Sequence, residues 1–134
     1  MNAKYYYNRA NKTPMSQLER KLEDFTQAIT LEPTYWDAYQ QRGVALLRAE
    51  RYTEATRDFT MLIEQQRKVT GLIFRYRAMC YIRLRLYANA LTDLEQALSR
   101  SPEIADSYYN MGLIYDYQEN YEAALNAYDR AHEL

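Results

Sequence analysis

The residues in this chain that could do chemistry are few, and their spacing does not assemble them. His132 is the only histidine and Cys80 the only cysteine. A structural zinc site takes four such ligands, so no metal is expected, and no other cofactor. The two fall in different segments, which argues against a cysteine–histidine nucleophile. Cys80, between Met79 and Tyr81, reads as a small buried hydrophobe. A lone cysteine excludes an internal disulfide and suits a reducing, cytoplasmic setting. The adjacent acids Glu23 and Asp24 diverge if they lie on a helix, so they read as solvated charge rather than an acid–base pair. Gly43, Gly71 and Gly112 are too far apart to cradle a phosphate. An enzyme is not expected. Aromatic and basic side chains together can stack the bases of a single strand. Here, however, 17 basic residues are balanced by 18 acidic ones, for a net charge of −1, so nothing demands a nucleic acid or an anionic membrane.

The elements that hold these residues declare themselves by repetition. Only three glycines and three prolines punctuate 134 residues, which leaves little room for hairpins and points to an all-α chain. No apolar run reaches a membrane span, and the N-terminus lacks the apolar core of a signal peptide. A small residue recurs at Gly43, Ala78 and Gly112, with spacings of 35 and 34. Tyr52, Tyr87 and Tyr121 keep the same rhythm, as do Ala55, Ala90 and Ala124, and Phe59, Leu94 and Tyr128. Tyr39, Phe74 and Tyr108 each precede the small slot by four residues, and Pro33 and Pro102 each precede a unit. A period in this range signals a solenoid, each unit reading as two helices with a turn between them. The expected pairs are 36–50 with 51–66, 72–85 with 86–100, and 105–118 with 121–134. Glycine inside a helix costs about 1 kcal/mol against alanine. Close antiparallel packing at the crossing offsets that cost. Gly112→Leu is therefore expected to overpack, and Gly112→Ala to be tolerated, because Ala78 occupies the equivalent slot.

Tyr108, Met111–Gly112, Tyr115, Ala124 and Tyr128 make the last unit resemble a tetratricopeptide repeat. The middle unit departs from the pattern with Arg77 before Ala78, and the first with Arg42 before Gly43 and a longer linker, "RKVTG". Upstream, Phe25 and Ala28 match a further second helix at about 16–30. The small slot before it falls on Arg9, so residues 1–35 read as a partial or degenerate repeat. Repeats are expected at 36–70, 71–104 and 105–134, with no capping helix after the last. The resemblance implies an all-α, right-handed α-solenoid of antiparallel helix pairs, a superhelix whose first helices line a concave groove.

It also implies the groove positions. In the first unit these are Asp37, Gln40, Val44, Leu47 and Arg48. The middle unit supplies Leu72, Arg75, Met79, Ile82 and Arg83, and the last Asp106, Tyr109, Leu113, Asp116 and Tyr117. Arg48, Arg75 and Arg83 are expected to converge. Basic groups beside apolar ones suit a protein or peptide partner carrying both apolar and acidic residues. Tyr109, then Tyr117, are the tyrosines expected to escape the core. Some members of the family clamp the C-terminal carboxylate of heat-shock chaperones. The corresponding positions hold Gln40, Val44, Tyr76, Asp106 and Asn110, or, one unit upstream, Tyr6, Ala10, Gln41, Leu72 and Tyr76, so such a clamp is not expected. The function expected is a non-catalytic protein–protein interaction scaffold. Its rivals are a small self-associating chaperone of the same fold for secreted substrates and an RNA-binding helical repeat. The uncapped C-terminal end implies either a homo-oligomer formed through it or a longer chain.

Overall fold

A computed structural model describes residues 1–101 and 104–134, so the repeated Pro102 lies outside the described residues. Those residues form eight α-helices and no strand. The chain divides into two compact units, Met1–Lys68 and Val69–Leu134. In the first, α1 (Ala3–Lys12) packs on α2 (Leu18–Leu31), α2 on α3 (Trp36–Arg48), and α3 on α4 (Tyr52–Glu64). In the second, α5 (Gly71–Arg83) packs on α6 (Tyr87–Arg100), and α7 (Ala105–Tyr117) on both α6 and α8 (Tyr121–Glu133). Residues 1–35 thus hold two helices, joined by a 3-10 turn at Met15–Gln17.

The first helices of the three later pairs end slightly before the expected residue, for one shared reason. Glu50, Arg85 and Glu119 adopt left-handed backbone, with φ of 63°, 62° and 60°. Each reverses the chain so that the next N–H bonds back into the last turn: Arg51 to the Leu46 carbonyl at 2.9 Å, Leu86 to Tyr81 and Asn120 to Tyr115 at 2.8 Å. This is a Schellman closure, built here without the usual glycine. The linker after α4 uses the device again, with Gln66 at φ 53° and Arg67 N–H bonded to the Leu62 carbonyl at 2.9 Å. Thr70 then caps α5 by accepting from the Ile73 N–H.

Three pairs are fastened by the same ion pair, and sequence reasoning missed it. Arg9 grips Asp24 through Nε and Nη2, both at 2.8 Å. Arg42 holds Asp58 at 2.9 and 2.7 Å, and Arg77 holds Asp93 at 2.7 Å through both nitrogens. The aspartates are buried, at 4%, 3% and 2% exposure, so only a two-pronged partner can compensate their desolvation. Arg42 Nη1 also donates to Thr26 Oγ1 on α2, tying three helices together. Arg42 and Arg77 are therefore not lapses from the repeat pattern. Each stands immediately before the small slot and crosses to the second helix of its pair.

The first pair corrects the register. The small slot there is Ala10, fully buried, and not Arg9. Arg9–Ala10 matches Arg42–Gly43 and Arg77–Ala78, one residue off the assumed spacing. In the last pair the locking positions hold Met111 and Ala127, so two apolar residues stand where the other pairs carry the ion pair.

The tolerance expected of Gly112→Ala also needs correction. A Cβ on Gly112 would lie 2.5 Å from Tyr128 Cε1 and 2.6 Å from Cδ1, well inside contact distance. A Cβ on Gly43 would meet Phe59 Cε1 at 2.9 Å. Ala78 escapes this because the residue opposite is Leu94, which has no ring. The slot size depends on the side chain facing it.

Candidate partner-binding face

The expected groove residues lie on first helices of their pairs, as helical spacing requires. On α3, Gln40, Val44 and Leu47 are half-buried and Arg48 is exposed. Asp37 is ion-paired with Lys68 at 2.7 Å. Lys21 donates to the Ala10 and Thr13 carbonyls at 2.8 and 2.9 Å. Burial, with Arg48's charge nearby, holds the Lys21 ammonium below the usual lysine range.

The second unit carries the more varied face. On α5, Met79 and Arg83 are exposed, and Leu72, Arg75 and Ile82 are half-buried. Ile82 leans on the core formed by Ala78, Ala90, Leu94 and Ile114. Arg75 makes no ion pair among the described residues, unlike the locking arginines. On α7, Tyr109 and Tyr117 are 52% and 61% exposed, and Leu113 is half-buried. Three of these positions also have work inside the fold. Asp116 accepts a 2.7 Å hydrogen bond from the Tyr128 hydroxyl on α8. Tyr117 stacks on Tyr87 of α6 at 5.4 Å, and Tyr109 tilts against Tyr128 at 5.6 Å. Burial, and then the Asp116 carboxylate, push the Tyr128 phenol up to about 12.

Among the hollows that went unnoticed in the sequence, two bear on the helix faces described above. The larger, about 560 Å³, opens between α2 and α4 over α3. Arg51 spans it, bonded to Glu19 at 2.9 Å and to Glu54 at 2.8 Å. No periodic signal marks it, since its charges come from distant segments. The smaller, about 130 Å³, lies where α5, α6 and α7 meet and includes Leu72 and Arg75 from the expected face. Cys80 is fully buried and its thiol is pushed up to about 12 by that burial. Among the described residues no cluster of three or more metal-ligating side chains occurs, and no helix is long and apolar enough to cross a membrane.

Three tetratricopeptide repeat models match the chain, over residues 25–57, 77–104 and 105–134. Among curated proteins, it is 23% identical over 114 residues to "Hsp70-Hsp90 organizing protein" of Triticum aestivum, covering 85% of this chain and 19% of that protein. It is 28% identical over 98 residues to "Heat shock protein STI1" of Saccharomyces cerevisiae, covering 73% of this chain and 17% of that protein. The chain thus spans about a fifth of the length of such relatives. Among solved structures, "MamA 41-end from Desulfovibrio magneticus RS-1" superposes with a TM-score of 0.90, covering 99% of this chain and 75% of that one, at 14% identity. That likeness is one of fold: helix pairs stacked as a solenoid.

Proposed function

Since the chain belongs to the tetratricopeptide repeat family, we propose that it is a non-catalytic scaffold whose α5–α7 face binds a peptide segment bearing acidic and apolar residues. One observation carries this reading. Arginines one residue before a small slot are consumed by buried aspartates, whereas Arg75 sits three before it and has no such partner. A half-buried, uncommitted guanidinium one turn from the exposed Met79 on α5, with Tyr109 exposed on α7, offers charge for register and apolar area for anchoring. Gln40, Val44, Leu47 and Arg48 form the corresponding face of α3 in the first unit. The relatives named for Hsp70 and Hsp90 raise a chaperone tail as partner. Gln40, Val44, Tyr76, Asp106 and Asn110 offer no cationic clamp, so the partner differs from that class.

A random-peptide display selection tests the reading. Enriched peptides should place acids beside aliphatic or aromatic residues. Arg75→Glu with Arg83→Glu should weaken their binding about tenfold or more, roughly 1.4 kcal/mol. Binding that survives the double reversal but is lost in Glu95→Lys, on the exposed side of α6, rejects it.

A second reading rests on α8. Leu125 and Tyr121 are 60% and 65% exposed, whereas Leu22, equivalent to Leu125, is 8% exposed where α2 meets α3. The bare α8 face suits another helix of the same type, which in a pure preparation is a second copy. Light scattering should show concentration-dependent association that Leu125→Glu abolishes; a strict monomer at high concentration refutes it.

A further inference from the structure

The 130 Å³ pocket between α5, α6 and α7 contains the one buried side-chain polar atom found without a hydrogen-bond partner among the described residues, Ser107 Oγ. Ser107 is 1% exposed. A buried hydroxyl left unpaired costs about 1–3 kcal/mol. Natural interiors seldom keep one, unless an ordered water or a ligand completes it. The surroundings favour an anion over a neutral guest. Arg75, with no ion-pair partner among the described residues, lines the same pocket, and so does Ser101. Gly71 opens α5, a 13-residue helix, so the positive end of the helix dipole lies on this pocket. The Ala97 carbonyl, which closes in beside Gly71, already accepts the Ser101 N–H at 2.9 Å. A Cβ on Gly71 would come within 3.1 Å of that carbonyl and 3.2 Å of Ser101 Oγ. The absence of a side chain there keeps the cradle open.

We propose that this pocket is a carboxylate-binding subsite, in which Arg75 supplies the charge and Ser107 the buried hydroxyl donor, and that it seats an acidic side chain of the peptide bound on the α5–α7 face. The inference rests on that peptide-binding reading for its ligand. Of the positions corresponding to the family's clamp in either register, only the apolar Leu72 lines the pocket. A volume of 130 Å³ admits a carboxymethyl or carboxyethyl group and little more. Seated there, the carboxylate would satisfy Ser107 Oγ and neutralise Arg75 in one contact.

The probe is acetate, titrated into the full chain at constant ionic strength and followed through the backbone amides of Gly71 and Ser107. Chloride and neutral acetamide serve as controls. Acetate should give saturable shifts at both amides, and neither control should. Ser107→Ala and Arg75→Gln should each weaken acetate about tenfold or more, since each removes a hydrogen bond to a charged group. Gly71→Ala should fill the cradle and abolish the response. Equal shifts with acetamide would mean a polar hollow holding water only, and would overturn the proposal. So would unchanged acetate binding in Ser107→Ala. A second comparison separates sources: an amidated peptide with one internal glutamate should compete with acetate, whereas one with only a free C-terminus should not. The reverse order overturns the side-chain assignment. Failure of these titrations leaves the peptide-display result standing, because selected peptides can be anchored by Met79 and Tyr109 without this pocket.

Discussion

Alanine at Gly112 puts two effects of similar size in opposition. Replacing a helical glycine should add about 1 kcal/mol of stability through backbone entropy. The new methyl, however, would sit 2.5 Å from Tyr128 Cε1, about 1 Å inside ordinary contact. Tyr128 is half-buried and can give way, but its ring leans on Tyr109 and its hydroxyl donates to Asp116. Overpacking of this kind costs about 1–3 kcal/mol. The net expectation for Gly112→Ala is a loss of about 0–2 kcal/mol. In a Tyr128→Leu background the clash is absent, and the slot reproduces Ala78 facing Leu94. There the alanine should stabilise by up to about 1 kcal/mol. Urea denaturation of the two single variants and the double variant closes the cycle, with an expected coupling of about 1–3 kcal/mol. If alanine shifts stability equally in both backgrounds, the ring of Tyr128 does not set the size of the slot.

Breaking the third lock by Asp93→Ala should cost about 3 kcal/mol, because the half-buried Arg77 loses the two-pronged bond that joins α5 to α6. Arg77→Met with Asp93→Ala, copying Met111 and Ala127, should recover most of it; a double variant as unstable as the single one refutes the compensation. Arg9's hydrogen bonds hold the Asp24 carboxyl below the usual carboxylate range. Its stabilisation is therefore complete above the unfolded value of about 3.9 and lost as pH falls through the lower folded value. Denaturation midpoints followed below about pH 4 should fall less in Asp24→Asn than in the parent chain. Ser107→Ala should raise the melting temperature in the absence of ligand, by removing an unsatisfied hydroxyl that costs about 1–3 kcal/mol. A drop would mean that the hydroxyl is satisfied in solution.

The helix pairs were legible because repetition averages out local ambiguity. Tyr52, Tyr87 and Tyr121 mark the first residue of α4, α6 and α8 in turn. Tyr109 and Tyr117 stood out because they lie off the repeated core slots, and both are exposed. The turns were harder to read, since Glu50, Arg85 and Glu119 hold a conformation that glycine usually signals. The first pair was misread by one residue, because anchoring the period on Gly43 places the slot on Arg9 when Ala10 fills it. The locks were hidden by a different habit: charge on a helix reads as solvation. Their signal was nevertheless present, in Asp24, Asp58 and Asp93, spaced at 34 and 35. The two hollows left no trace, because their walls come from separate helices and from backbone atoms.

The locks also change what an arginine means in this chain. Position relative to the small slot sorts these residues by sequence spacing alone. Arg9, Arg42 and Arg77 immediately precede the slot, with an aspartate 15 or 16 residues later, and each is spent on holding its own helix pair together. Arg75 stands three residues before the slot, and Arg48 and Arg83 five after it, on the face away from that aspartate. Charge reversal in the first group should therefore lower stability and binding together, through unfolding. Reversal of Arg75 should lower binding alone, since no buried aspartate depends on it. The last pair fits the same logic from the other side. With Met111 and Ala127 in the locking positions, no cation is needed to hold α7 to α8, and the pair relies on apolar contact and the Tyr128–Asp116 bond. On α5 the two kinds of arginine stand two residues apart on opposite faces: Arg77 is spent on Asp93, while Arg75 has no locking duty and lines the pocket with the unpaired hydroxyl of Ser107.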